Sequence, residues 1–139
     1  MKLRIDYLAN HTQVIPELSE LHVEAFGPFN PEMTVESRME QFHARLGKNS
    51  IPLSLVAFDE DKLIGSACLI HQDMSTHPEL RPWVASVFVR KEYRRRGVGT
   101  ALMRAVEGEA RRLGVKKLYL FTPDMQAFYS TLDWLTIAT

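Results

Sequence analysis

A run of apolar residues that ends in a basic, glycine-bearing turn and restarts as a helix is the strongest constraint this chain carries. Trp83-Val84-Ala85-Ser86-Val87-Phe88-Val89-Arg90 reads as a central strand. A short charged loop leads to Arg94-Arg95-Arg96-Gly97-Val98-Gly99. Residues 100–113 then place Leu102, Val106, Glu109/Ala110 and Leu113 at helical spacing, and Gly114 supplies the stop. The first turn of a helix has N–H groups without internal partners, and its dipole leaves that end partly positive. Phosphate oxygens suit such an end. Gly97 and Gly99 remove side chains that would hold an anion off those donors, while Arg94, Arg95 and Arg96 add positive charge. Taken alone, the turn reads equally well as a solvated basic loop.

Other phosphate-binding patterns fail on spacing. The turn lacks the third glycine of a dinucleotide fingerprint, and its glycines follow the strand by several residues. A P-loop needs a Gly-Lys-Ser/Thr ending, which is absent. Seventeen basic residues balance seventeen acidic ones, so no overall field favours nucleic acid or a charged membrane. Only Tyr93 interleaves an aromatic with the arginines, which leaves nucleic-acid binding without support.

The 139 residues suffice for one domain with a real core, and no repeat or linker suggests an internal boundary, so residues 1–139 are expected to be a single domain. The lone Cys68 cannot form an internal disulfide and sits in an apolar strand, where it reads as a small core residue. No apolar run approaches the ~18 residues of a membrane span. Charges at Lys2, Arg4 and Asp6 interrupt the stretch a signal peptide needs, so a cytoplasmic location is expected.

Residues 2–8 alternate as a half-buried strand. Thr12 is expected to cap a helix whose face is Val14, Leu18, Leu21 and Ala25, with Pro16 tolerated near the first turn. Asn30-Pro31 is expected to open a second helix carrying Val35, Met39, Phe42 and Leu46, ended by Gly47. Runs 53–58 and 62–72 form a hairpin across Asp59-Glu60-Asp61, and Gly65 marks a bulge or a close backbone approach. Residues 73–82 form a loop, 115–121 a strand, 125–132 a short helix and 134–138 a last short strand. This order, β-α-α-β-β-β-α-β-α-β, specifies an α/β (α+β) domain with a mixed sheet.

Tyr93-Arg94-Arg95-Arg96-Gly97-Val98-Gly99 resembles motif A of the GCN5-related N-acetyltransferases, Gln/Arg-x-x-Gly-x-Gly/Ala, with Arg94, Gly97 and Gly99 in the specified places. Ala127-Phe128-Tyr129-Ser130-Thr131-Leu132-Asp133-Trp134 is similar to the later helix of the family, Ala-x-x-Phe-Tyr-x-x-x-Gly-Phe. The upstream hairpin and the two N-terminal helices also match, so the resemblance covers nearly the whole chain. It implies a mixed, mostly antiparallel sheet flanked by helices, and acetyl-CoA (coenzyme A) as cofactor. It assigns main-chain contacts with the pantetheine arm to Val87, Phe88 and Val89. The pyrophosphate falls to the amides of Arg95, Arg96, Gly97, Val98, Gly99 and Thr100, and Phe128 and Tyr129 close the other side.

The resemblance also gives Tyr129 the role of general acid for the departing thiolate, against the plain alternative of a packed, hydrogen-bonded tyrosine. It puts the general base beside the strands before motif A, where Glu79, Asp73, His71 and His77 are the candidates and Glu79 is the one assigned. No ligands at metal spacing accompany the histidines, so no metal is expected. Asp133 stands where the family has a glycine in left-handed conformation. The family continues past the point where this sequence stops, so a shortened C-terminal end, an exposed sheet edge and a homodimer covering it are expected. The implied activity is acetyl transfer to a primary amine of a small molecule or peptide, with an acceptor pocket from helix 31–46, segment 71–83 and the C-terminal end. A non-catalytic acyl-CoA sensor or degenerate subunit is the alternative, and an unrelated α/β binding protein a third.

Overall fold

The structure, a computed structural model, describes residues 1–71, 81–122 and 125–134. Among these described residues the strands are β1 (Leu3–Tyr7), β2 (Leu53–Asp59), β3 (Lys62–Ile70), β4 (Trp83–Val89) and β5 (Tyr119–Leu120). They lie side by side in chain order, antiparallel except for the parallel pair β4–β5. The α-helices among the described residues are α1 (Ile15–Phe26), α2 (Val35–His43), α3 (Val98–Arg112) and α4 (Gln126–Ser130). The mixed, mostly antiparallel sheet expected from the sequence is present.

The core divides between the two faces of the sheet. One face packs Leu55, Ala57, Ile64, Ala67, Leu69 and Val84 against Val98, Leu102, Met103, Val106 and Ala110 of α3, with Phe128 and Tyr129 of α4 alongside. The other packs Val56, Phe58, Cys68, Trp83 and Ala85 against Ile15 and Leu18 of α1 and Phe42 of α2. Since β2 and β3 are covered on both faces, nearly all their residues are buried, and strict alternation disappears. Cys68 is a core residue, its Sγ 3.2 Å from the Ser54 hydroxyl.

Local chemistry moves several boundaries. Thr12 starts a 3-10 turn rather than capping α1, which begins after Val14 with Pro16 in its first turn. The fully buried positions of α1 are Ile15, Leu18, Ser19 and His22, a face rotated from the expected one, with Val14 and Leu21 packing at its margin. Asn30-Pro31 makes a turn in which the Met33 N–H bonds to the Asn30 carbonyl. Helix α2 begins four residues later than expected because Thr34 and Ser37 cap it reciprocally, at 3.0 and 3.1 Å. It ends at His43 rather than at Gly47, which lies in a turn so tight that a Cβ there would sit 2.1 Å from the Ser50 carbonyl oxygen.

Gly65 satisfies both readings of a strand glycine. A register shift falls beside it between Ala57 and Phe58, and an added Cβ would approach the Phe88 carbonyl oxygen to 2.7 Å. Strand β5 is only two residues long. The Val115 N–H is still bonded to Ala110 at the end of α3, and the ladder begins where the Tyr119 N–H meets the Pro82 carbonyl at 3.1 Å. The expected strand 134–138 and the loop 73–82 lie mostly outside the described residues. No helix among the described residues is long and apolar enough to cross a membrane.

Candidate functional site

Strand β4 pairs with β5 only through Trp83–Tyr119 and Val84–Leu120. After Val84 the strands part, and among the described residues Ser86, Val87, Phe88 and Val89 have no strand partner on that side. The same stretch carries a bulge: β3 and β4 slip register between Ser66 and Cys68, and Ser86 takes a left-handed φ of 56°. A left-handed backbone at a serine costs energy that the surrounding packing must hold, a common feature of functional strands.

Beyond β4 the chain makes a 3-10 turn over Lys91–Tyr93 and enters the basic turn. Arg95 has φ 63° and Gly97 has φ 84°, and Gly97 caps α3 with no side-chain hydrogen bond. The first main-chain bond of the helix runs from Ala101 N–H to Gly97 O. Helix α3 thus starts at Val98, two residues before the expected position. Among the described residues, no acceptor meets the N–H groups of Arg95, Arg96, Gly97, Val98, Gly99 or Thr100. The three arginines are exposed, and none pairs with a carboxylate among those residues. Arg96 lies over the Tyr93 ring at 4.9 Å, and Arg94 Nε donates to the Val89 carbonyl at 3.2 Å.

Gly99 occupies a narrow place. A Cβ there would lie 3.5 Å from Phe128 Cζ and 3.7 Å from Val89 Cγ2. The turn, the free edge of β4 and α4 therefore line one cleft, and a side chain larger than alanine at position 99 would begin to fill it. Unclaimed amide donors, unpaired arginines and a side-chain-free wall fit a pyrophosphate with a slender arm. Val87, Val89, Val98, Phe128 and Tyr129 pack on this face, whereas the Phe88 ring lies on the opposite face, 5.3 Å from His22.

Phe128 and Tyr129 are half-buried, their rings 5.1 Å apart, and Tyr129 faces Trp134 at 6.5 Å. The Trp134 indole N–H donates to Glu107 Oε2 at 3.1 Å and ties the end of α4 to α3. Asp133 has φ 71° and passes its neighbour's N–H back to the Tyr129 carbonyl at 3.1 Å, the left-handed helix stop expected of a glycine there. Of the base candidates, Asp73, His77 and Glu79 lie outside the described residues. His71 is exposed, its Nε2 3.1 Å from the Ile51 carbonyl, at the Trp83 end of β4 rather than beside Val87 and Val89.

Sequence reasoning missed a polar cluster on the other face. The His22 ring is fully buried, with Nε2 2.8 Å from Ser66 Oγ, and Ser66 in turn donates to the Ser86 carbonyl at 3.1 Å. Arg38 and Arg45 both donate to Ser86 Oγ, at 3.3 and 3.1 Å. Burial first, then the charges of Arg38 and Arg45, hold His22 well below the ordinary imidazole range, so it is neutral. The sequence offered no direct signal for the cluster, since Arg38 lies in α2 and Arg45 beyond the end of that helix.

Comparison with known proteins agrees with this geometry. The family model for acetyltransferases of the GNAT family matches residues 15–134. A possible acetyltransferase from Clostridium difficile 630 superposes with a TM-score of 0.76 at 14% identity, covering 100% of this chain and 94% of that one. A predicted acetyltransferase from Clostridium acetobutylicum, solved with acetyl-CoA, gives 0.72 at 14% identity over 98% and 96%. Glucosamine-6-phosphate N-acetyltransferase from Arabidopsis thaliana gives 0.69 at 14% identity over 100% and 95%. No protein of curated function matches the sequence. With the family model spanning most of the chain and the sheet, cleft and glycine turn arranged as described, this protein belongs to the GNAT family of acetyltransferases.

Proposed function

We propose that the chain transfers acetyl from acetyl-CoA to a primary amine by direct attack, with Tyr129 as general acid. The observation that carries this reading is the alignment of three features along one cleft. They are the β4 edge left unpaired after Val84, the donor-rich turn before α3, and the bare wall at Gly99. Acetyl-CoA, when bound, supplies the activated acyl group as a thioester. The amides of Arg95, Arg96, Gly97, Val98, Gly99 and Thr100, with the guanidinium groups, would hold the pyrophosphate. Val87, Phe88 and Val89 would offer main-chain groups to the arm, and Phe128 would close its far side.

For the chemistry, the amine must lose a proton and the departing sulfur must gain one. Tyr129 Oη is the proposed donor, and a main-chain N–H in the bulged stretch of β4 would polarise the acyl oxygen. Glu79 remains the proposed base from the sequence. His22 is a poor candidate, because no part of its side chain reaches solvent.

The experiment has two stages. Acetyl-CoA is expected to raise the melting temperature of the protein in proportion to the logarithm of its concentration. A thiol-release assay with a panel of primary amines is then run on the wild type and on Tyr129→Phe. Amine-dependent release that falls about 10- to 1,000-fold in the variant supports both parts of the reading. Tight acetyl-CoA binding with no amine-dependent release favours the sensor alternative. Full turnover by Tyr129→Phe overturns the acid assignment alone.

A further inference from the structure

Strand β4 sets two residues, Ser86 and Val87, opposite the single Ala67 of β3. Such an extra residue drops out of the ladder, and its main-chain groups need partners from elsewhere. The Ser86 carbonyl finds one in Ser66, a serine in an otherwise apolar stretch, 63–70. Ser66 is fully buried beside it and donates its hydroxyl proton at 3.1 Å. The Ser86 side chain is held as well, since its Oγ accepts from Arg38 and Arg45. Together these contacts keep a serine at φ 56°, a conformation that residues other than glycine rarely adopt unaided.

His22 decides which way the Ser66 proton points. Its ring is packed among those of Phe26, Phe42 and Phe88, at 5.3, 5.0 and 5.3 Å, and its Nδ1 has no hydrogen-bond partner among the described residues. A proton on Nδ1 would be a buried donor without an acceptor, so the neutral ring carries its proton on Nε2. Nε2–H donates to Ser66 Oγ at 2.8 Å, and the Ser66 proton is left for the Ser86 carbonyl. The pair resembles a nucleophile and its base, but neither residue reaches solvent and the serine proton points away from the ring.

A trans peptide is planar, with its carbonyl and its N–H on opposite sides. The Ser86–Val87 bond is trans. Drawing the Ser86 carbonyl towards Ser66 therefore turns the Val87 N–H the other way, away from the buried serine and histidine. Val87 itself packs on the α3 face, which carries the cleft.

Resting on the acetyl-transfer reading above, we infer that Ser66 is a positioning residue for that reaction: its hydroxyl, oriented by His22, fixes the Ser86–Val87 peptide so that the Val87 N–H polarises the acyl oxygen. Without the hydroxyl the Ser86 carbonyl loses its donor, and the peptide turns to find another. The N–H then leaves the place where charge develops in the transition state, while the proposed pyrophosphate site at the start of α3 is untouched.

Ser66→Ala and Ser66→Thr are compared with the wild type in the amine-dependent thiol-release assay. Ser66→Ala is expected to lower kcat about tenfold to a hundredfold, with KM for acetyl-CoA changed by less than about threefold. Ser66→Thr keeps the hydroxyl and is expected to recover most of kcat. A hydroxyl that served stability alone would lower the melting temperature and leave the kcat of the folded protein unchanged. The acetyl-CoA thermal shift of each variant reports that it is folded. On the wild type, nitrogen-15 NMR is expected to show His22 as the neutral tautomer protonated at Nε2.

Wild-type kcat in a folded Ser66→Ala overturns the inference and leaves acetyl transfer standing. So does a folded Ser66→Thr that turns over no faster than Ser66→Ala. A His22 proton on Nδ1 overturns it even where neither variant folds, because Ser66 would then have to donate to the ring. Thiol release that no amine accelerates in the wild type, with acetyl-CoA bound, overturns the acetyl-transfer reading and this inference together.

Discussion

The two faces of the sheet meet at β4 and present different kinds of polar group. On the α3 face the groups that can bind a ligand are main-chain: amides at the start of a helix and the unpaired edge of a strand. Side chains there matter by their absence, as at Gly97 and Gly99. On the α1/α2 face the groups are side chains from α1, α2, β3 and β4, gathered on the bulge at Ser86. A main-chain site needs only a short local sequence, so it can serve one constant ligand. A side-chain cluster depends on residues far apart in the chain, and single substitutions can rebuild it.

The largest expected effect tests whether the faces are separable. Phe42 is fully buried among α1 and α2, so Phe42→Ala should cost about 3–5 kcal/mol of folding stability in denaturant titration. The folded fraction should still bind acetyl-CoA with wild-type affinity, and a parallel loss of affinity would break the separation. Gly99→Val makes the converse case. Its branched side chain enters the space between Phe128 and Val89, and acetyl-CoA affinity should fall about a hundredfold by calorimetry with little change in melting temperature. Unchanged affinity would remove the cleft from the argument.

A smaller effect isolates the α1/α2 face by pH. The folded chain keeps His22 unprotonated, whereas the unfolded chain binds a proton there once pH falls below the ordinary value of 6.5. Stability contributed at this site is complete above that pH and declines as pH drops below it, by at most about 1.4 kcal/mol per pH unit. Burial raises Asp6 and Glu109, but hydrogen bonds to them outweigh it and leave both below their ordinary values, so their losses come at lower pH. His22→Gln should flatten the slope between pH 5 and 6.5, and a variant with the wild-type slope would show that another group titrates. The smallest effect is on the α3 face. Asp133→Gly relieves the left-handed aspartate at φ 71° and should stabilise the fold by about 1 kcal/mol. A destabilised variant would show that the aspartate side chain contributes something the geometry does not reveal.

What could be read in advance follows the same division. The turn from Arg94 through Gly97 to Gly99 was legible because the glycine-bearing start of a helix is written in consecutive residues. Asp133 was legible because a helix stop has a narrow choice of residue. The expected starts of both N-terminal helices failed for a local reason. Thr12 and Asn30 are good caps by type, but Val14 and the Thr34–Ser37 pair lie where the chain actually turns into α1 and α2. The shortness of β5 could not be read, because Val115 is claimed by the end of α3 and the first bond to the β4 segment is made by Tyr119, to the Pro82 carbonyl.

By itself, the sequence determined the α/β order, the basic glycine turn and the pairing of Phe128 with Tyr129, all set by contacts within about a dozen residues. The tertiary structure decided the rest. His22, Arg38, Arg45, Ser66 and Ser86 span 65 positions of the chain and have no shared pattern. Only the packing of α1 and α2 on a bulged strand brings them together, because buried polar groups must find partners wherever the fold places them.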